Sequence, residues 1–77
     1  MAMSRYLVVY ESTPSGFGAF SPDVPGCIAC GTTLDETRTL MRSAIVAHVD
    51  TLRAEGLPLP ESRSVAETAA AEIMDVG

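Results

Sequence analysis

The two cysteines of the chain form the pattern Cys27-x-x-Cys30, which is the spacing of redox-active dithiols and of half a zinc site. A redox pair of this kind works at a helix N-terminus, where the helix dipole lowers the thiol pKa. Here both cysteines lie on a predicted strand, where residues three apart point to opposite faces. A zinc site needs further ligands, and His48 is the only histidine. We therefore expect two small buried hydrophobic residues; redox or metal chemistry and a reactive surface thiol are the alternatives.

His48 is also the only histidine available as a general base. It falls in the apolar stripe of a predicted helix, and no spacing in the chain implies the orienting carboxylate and nucleophile that such a base needs. No Gly-x-Ser-x-Gly elbow and no Gly-rich phosphate loop is present. The sequence predicts a partly buried histidine at the border of helix and sheet, no catalytic residue and no cofactor.

Four carboxylates could in principle form a metal-dependent nuclease centre: Glu11, Asp23, Asp35 and Glu36. Such a centre needs several acids that converge from strand ends and a helix. The middle of the first predicted strand, at 8–10, is apolar and aromatic, and ordinary turn and capping roles explain each acid. We predict no metal site and no enzymatic activity.

Local patterns predict the elements that position these residues. Strong β-formers over 5–11, a turn cluster at 12–16 and a return strand at 17–21 indicate a hairpin, and 27–31 is a third strand. Pro25-Gly26 predicts a type II turn before the third strand, because glycine tolerates the positive φ required there. Thr33 with Glu36 forms a capping box that predicts a helix start, and Gly56 predicts the helix end.

The helical periodicity over 33–55 indicates an amphipathic helix that covers one face of the sheet. Its apolar stripe is Leu34, Met41, Ala44, Ile45, His48 and Leu52, flanked by Leu40 and Val49. The first strand is apolar on both sides, because Leu7 and Val9 point one way while 6, 8 and 10 point the other. One helix covers only one face. We expect the second face to be buried by the C-terminal segment, by another protein or by a second copy, which favours a homo-oligomer, either dimer or tetramer.

The C-terminal part of the chain carries weaker signals. Residues 57–63 read as a proline-bearing linker, Ser64 to Glu67 predicts the cap of a short helix through the alanines, and 73–76 predicts an edge strand. The chain is expected to be one domain over 1–77, with a core at 5–60 and a tail at 61–77. The predicted fold class is α+β: a small β-β-β-α-β domain with a three-stranded antiparallel sheet, one long helix on one face, and the short helix and edge strand of the tail.

Composition narrows the classes of partner. The 77 residues include ten acidic and five basic residues, with no lysine and a net charge of −5. This balance argues against a strong phosphate binder and suits either a basic protein partner or solubility alone. No signal-peptide pattern precedes the first strand, and no apolar run is long enough to cross a bilayer. We expect a cytoplasmic protein with reduced thiols and no membrane association.

Several short motifs follow one another in a fixed order over roughly residues 5–60. They are the strand Tyr6-Leu-Val-Val-Tyr-Glu11, the turn with Gly16, Phe20-Ser-Pro-Asp-Val-Pro-Gly-Cys27, Gly31-Thr-Thr-Leu-Asp-Glu36 and Glu55-Gly-Leu-Pro-Leu-Pro60. This ordered set resembles HicB-type antitoxins. The resemblance implies a β-β-β-α-β domain with a partial ribonuclease H-like fold. It further implies that this domain binds and blocks HicA, a small basic mRNA-cleaving toxin with a double-stranded-RNA-binding-like fold.

Full-length members of the family often continue into a ribbon-helix-helix or helix-turn-helix segment that binds the promoter of their own operon. Nothing after Pro60 is long or basic enough for such a module, so no direct DNA binding is expected from this chain alone. The expected function is an antitoxin that neutralises a HicA-type toxin in a type II toxin–antitoxin system. The alternative is a stand-alone homo-oligomeric binding or scaffold module with no toxin partner.

The acids expected to contact a cationic toxin are those predicted to be exposed on the helix and in the turn before the third strand. They are Asp23 in the turn and Asp35, Glu36, Asp50 and Glu55 on the helix.

Overall fold

The structure is a computed structural model that describes residues 4–60 and 71–76. The elements in chain order are β1 (Ser4–Thr13), β2 (Gly16–Phe20), β3 (Ile28–Gly31), α1 (Leu34–Ala54) and β4 (Ala71–Val76). The four strands form one antiparallel sheet in the order β3-β2-β1-β4. The predicted α+β fold is confirmed, and the edge strand predicted after the helix forms beside β1. The short helix predicted from Ser64 lies outside the described residues.

The turn before β3 has the geometry that Pro25-Gly26 predicts. The Cys27 N–H donates to the Val24 carbonyl at 3.2 Å, and Gly26 has a φ of +90°. A non-glycine residue would be strained at this φ, as a type II turn requires. Because Cys27 closes the turn, β3 begins one residue later than predicted, at Ile28.

Both ends of α1 are capped by local hydrogen bonds. At the start, Thr33 Oγ1 accepts from the Glu36 N–H at 3.1 Å, while the Glu36 carboxylate accepts from the N–H and hydroxyl of Thr32, each at 3.2 Å. The return bond of the capping box therefore reaches one residue further back than the usual pattern. At the end, Gly56 has a φ of +69°, and the Leu57 N–H donates to the Leu52 carbonyl at 2.9 Å, as in a Schellman motif.

The hydrophobic core lies between α1 and one face of the sheet. Its members are Tyr6, Val8, Tyr10, Ala19, Val24, Cys27, Met41, Ile45, Val49 and Met74. The buried row of α1 is Thr37, Met41, Ile45 and Val49, an unbroken i, i+4 series.

This row corrects the predicted helix stripe. Leu34 and Leu40 are exposed, while Thr37 is fully buried and Val49, predicted to flank the stripe, belongs to it. Thr37 can be buried because its hydroxyl donates to the Thr33 carbonyl at 2.8 Å and so has a partner within the helix.

The second face of the sheet carries the side chains that alternate with those of the core. Its apolar members, which we call the open face, are Leu7, Val9, Phe20, Ile28, Cys30 and Ile73. Leu7 is buried, but Ile28 is 70 % exposed, Ile73 44 % and Phe20 38 %. The prediction that β1 is apolar on both sides is therefore confirmed, and no helix of the described residues packs on the open face.

Candidate functional site

Four of the five predicted partner-binding acids are exposed: Asp35, Glu36 and Asp50 on α1, and Glu55 at its C-cap. They lie along a helix of 21 residues, which spans roughly 30 Å. The acids at the two ends of this helix therefore form two separate groups.

Asp23 is not exposed, and its predicted placement is wrong. It is only 8 % exposed, and its Oδ2 accepts a hydrogen bond from the Leu7 N–H at 2.9 Å. The β2 ladder ends where Phe20 pairs with Val9, so Leu7 lies beyond the last strand pair on that side of β1. The carboxylate takes the place of a ladder carbonyl there. Asp23 is a structural residue, and loss of its carboxylate would leave a buried N–H unpaired at a cost of about 1–3 kcal/mol.

The two acids at the start of α1 are engaged within the chain. Asp35 Oδ1 accepts from Arg38 Nη1 at 2.8 Å, and Glu36 accepts from Thr32 as described above. The Asp35 side chain is nevertheless 95 % exposed, and an exposed pair of this kind contributes only about 0–1 kcal/mol. Asp35 can therefore exchange Arg38 for a cation on a partner at little cost, whereas Glu36 is held by its capping role.

The two acids at the end of α1 are differently placed. Asp50 and Glu55 are exposed, and neither carboxylate makes a hydrogen bond or ion pair with another described residue. Only the backbone N–H of Glu55 is engaged, since it donates to the Thr51 carbonyl at 3.1 Å. This end of α1 consequently presents carboxylates that need no rearrangement to meet a cationic surface.

A polar cluster that the sequence did not reveal joins three elements. Tyr10 of β1 donates a hydrogen bond from its hydroxyl to Glu72 Oε1 of β4. Arg38 of α1 donates from Nε to Glu72 Oε1 at 3.0 Å and Oε2 at 3.3 Å, and its guanidinium lies 5.7 Å from the centroid of the Tyr10 ring. The cluster fixes β4 to the helix as well as to β1. Tyr10 and Glu72 are 62 positions apart in the sequence, and no local pattern links them.

The protonation states of this cluster make it a structural rather than a proton-transferring group. Burial raises the pKa of Tyr10 well above its ordinary value, and Glu72 adds to the effect. The hydrogen bond and negative charge of Glu72 raise the pKa of Arg38 as well. Tyr10 is therefore neutral and Arg38 charged at physiological pH, and neither can act as a general base.

The Cys27-x-x-Cys30 motif is split between the two sides of the sheet. Cys27 is buried in the core, where its thiol donates to the Ala44 carbonyl at 3.9 Å and burial raises its pKa. Cys30 is exposed on the open face. The expectation of two buried residues holds for Cys27 and is wrong for Cys30, because residue 30 faces away from the helix. His48 is half-buried, as predicted for the border of helix and sheet.

The acids considered for a nuclease centre do not converge. Glu11 alternates with Tyr10 and so lies on the side of the open face, whereas Asp35 and Glu36 lie at the start of the helix. Within residues 4–60 and 71–76, no group of three or more His, Cys, Asp or Glu side chains is arranged to hold a metal ion.

None of the described helices is long and apolar enough to span a membrane.

The fold of this chain is similar to the folds of solved HicB antitoxin structures. The N-terminal domain of the Burkholderia pseudomallei antitoxin HicB is 28 % identical, with 95 % of each chain covered and a TM-score of 0.75. A longer structure of the same antitoxin is 30 % identical with a TM-score of 0.68, and the match covers 100 % of this chain and 63 % of that one. A chain of a HicA3 and HicB3 toxin–antitoxin complex is 26 % identical with a TM-score of 0.60, with 83 % of this chain and 72 % of that chain covered.

A relative known by sequence is the uncharacterized 14.9 kDa protein in the rep-hol intergenic region of Haemophilus phage HP1. It is 32 % identical over 60 residues, which are 78 % of this chain and 45 % of that protein. This chain thus spans less than half the length of that relative.

The family model described as "HicB_like antitoxin of bacterial toxin-antitoxin system" matches residues 6–75. The match includes every described element in whole or in part, from β1 to β4. It also contains the Pro-Gly turn and the capped helix start on which the resemblance in the sequence rests. The chain therefore belongs to the HicB-like antitoxin family of bacterial toxin–antitoxin systems.

Proposed function

We propose that this chain is an antitoxin that binds and neutralises a small basic mRNA-cleaving toxin of the HicA type. The observation that carries the proposal is the family match over 6–75, and the similarity to a chain of a HicA3 and HicB3 complex supports it. In this role the chain occludes the RNA-binding surface of the toxin and performs no chemistry. The mRNA on which such a toxin acts places the pair in the cytoplasm.

The electrostatics of the chain favour this partner. Its net charge of −5 and the absence of lysine complement a cationic, RNA-binding surface, chiefly through association rate and specificity. The same balance opposes direct DNA binding by this chain alone, because phosphate binding depends on clustered basic residues.

Within this proposal, the C-terminal half of α1 is the main contact surface. Asp50 and Glu55 are exposed and have no side-chain partner among the described residues, so they can pair with toxin cations without breaking an internal contact. Glu36 contributes less, because Thr32 holds its carboxylate in the helix cap, and Asp35 can join the contact by exchanging Arg38 for a toxin cation. Asp23 is left out of the surface, because its carboxylate is buried against Leu7.

The alternative function is a stand-alone homo-oligomeric binding or scaffold module without a toxin. The exposed Phe20, Ile28 and Ile73 of the open face favour self-association in either case. We accordingly propose that the chain forms a dimer or tetramer, with or without a toxin.

Co-expression with the toxin-like protein of the adjacent reading frame tests the antitoxin proposal. We expect this chain to restore growth, and purified toxin to bind it with an affinity that falls steeply with salt. The double variant D50N/E55Q removes two charges and should weaken binding and flatten the salt dependence. The matched control T13K/S15K shifts the net charge by the same amount at the β1–β2 turn, roughly 30 Å from Glu55, and should bind almost as tightly as the parent.

Two results would contradict parts of this proposal. Failure to restore growth with any neighbouring frame favours the stand-alone module. If D50N/E55Q and the control lose affinity equally, only net charge matters and the end of α1 is not the contact surface.

A further inference from the structure

We propose that the open face is the contact between two copies of this chain, packed with their β1 strands antiparallel so that Arg5 of each copy meets Glu11 of the other. This inference rests on the proposed self-association and gives it a surface and an orientation. It is independent of the toxin contact, which uses the end of α1.

The first observation is the distribution of apolar and charged residues across the open face. In the strand register, Ile28, Phe20 and Val9 form one row, and Leu7 and Ile73 form the next. These rows expose several large apolar side chains on one side of a small sheet. Ile28 and Phe20 are opposite each other on β3 and β2, so their exposed apolar surfaces adjoin, and adjoining exposed apolar surface of this kind marks a contact surface.

The second observation is the placement of charge at the two ends of the apolar rows. Arg5 and Glu11 alternate with the core residues of β1, so they lie on the same side as Leu7 and Val9, and both are exposed. They are six residues apart, or roughly 20 Å along an extended strand. The face therefore has a cation at one end of its central strand and a carboxylate at the other.

A contact between two identical faces must be complementary to itself. Consider a two-fold axis that lies between the two faces and runs perpendicular to the strands. It makes the β1 strands of the two copies antiparallel, so that Glu11 of each copy lies over Arg5 of the other. A two-fold axis that runs along the strands instead brings Glu11 beside Glu11. The charges therefore select the antiparallel arrangement, in which Val9 of each copy also faces Leu7 of the other.

The position opposite Glu11 in the strand register is Gly18, which adds no side chain beside that carboxylate. Arg5 already has an interaction within the chain. Its guanidinium has five N–H donors, so it can also donate to a second carboxylate.

Sedimentation velocity of the full chain, from micromolar to millimolar concentration, tests the inference. We expect the parent to dimerise, and R5E and E11R each to weaken the dimer by about tenfold, because each replaces two attractive contacts by two repulsive ones. The exchanged variant R5E/E11R should recover most of the affinity. I28S should also weaken the dimer, whereas E55R, on the far side of the molecule, should not.

A cooperative thermal melt of each variant at low concentration establishes that it is folded, and E11R, at an exposed site, keeps the test decisive if R5E unfolds. A parent that dimerises equally well with and without these changes overturns this inference and leaves self-association standing. A monomeric parent overturns both. If that monomer loses toxin binding on the I28S change, the face belongs to the toxin. None of these outcomes depends on whether the chain restores growth.

Discussion

The two faces of the sheet are built from the same strands but differ in how far their side chains are buried. On the side of α1, Tyr6 and Val8 are almost fully removed from solvent, because Ile45 and its helical neighbours pack over them. On the open face, Ile28 remains mostly exposed, although its side chain is as apolar as that of Val8. The comparison indicates that one face supplies the stability of the monomer and the other is available for association.

The largest effect is expected from Ile45→Asp on the covered face. The change buries an unpaired carboxylate in the small core between α1 and the sheet. The cost is about 4 kcal/mol or more, which approaches the whole free energy of unfolding of a small domain. Circular dichroism should show an unfolded or non-cooperative chain at room temperature.

The control for Ile45→Asp is Ala47→Asp, which adds the same carboxylate to the same helix at an exposed position. It should retain a cooperative melt close to that of the parent. A near-native melt for Ile45→Asp would show that the helix does not cover the face as described.

A medium effect is expected from alkaline pH, because two covered groups resist deprotonation. The folded state raises the pKa of Tyr10 above its ordinary 10.0 and that of Cys27 above its ordinary 9.0, in both cases mainly through burial. The unfolded chain loses these protons first, so the free energy of unfolding is at its full value below about pH 9 and falls as pH rises beyond that.

Tyr10→Phe separates the two contributions. The variant loses the hydrogen bond to Glu72, at a cost of about 1 kcal/mol at neutral pH, and should lose stability less steeply above pH 10. Denaturant titrations at a series of pH values measure both effects. An unchanged alkaline slope would mean that Tyr10 is not held in its protonated form by the fold.

The smallest effect is expected from Ile28→Thr on the open face. At concentrations where the chain is monomeric, the free energy of unfolding should change by about 0.5 kcal/mol or less, since Ile28 is mostly exposed and threonine is an equally good strand former. The matched change on the covered face, Val8→Thr, should cost about 1–3 kcal/mol because it buries a hydroxyl. Equal effects for the two variants would mean that the faces do not differ as proposed.

Much of the fold could be predicted because it depends on local sequence signals. The Pro25-Gly26 turn, the Thr33 cap and the Gly56 stop are each determined by a few neighbouring residues, and all three have the predicted geometry. The apolar second face also follows from the alternation in β1 alone. Such features need no knowledge of what lies elsewhere in the chain.

The features that sequence reasoning missed depend on distant partners. Asp23 was expected in solvent because nothing near it in sequence indicates that it completes the β1 ladder at Leu7. Glu72 joins Tyr10 and Arg38 only after β4 has found its register. Thr37 is an exception with a local partner: the predicted stripe did not include it, although its hydroxyl is satisfied within its own helix, so the buried row was placed incorrectly around the helix axis. The candidate surface changed because of the distant partner of Asp23, since the surface lost Asp23 and kept the helix acids.

The pairing of β4 with β1 has a consequence for how the chain folds. Met74 is buried opposite Tyr6, so nearly the whole chain separates these partners, whereas β1, β2 and β3 meet through short connections. Closing the longer loop costs more entropy before any contact offsets it, so we expect β4 to join the sheet after the main folding barrier. Met74→Ala should then speed unfolding and leave the refolding rate almost unchanged, while Ala19→Gly in β2 should slow refolding. Stopped-flow kinetics that gave Met74→Ala the slower refolding would reverse this order and make the last strand part of the folding nucleus.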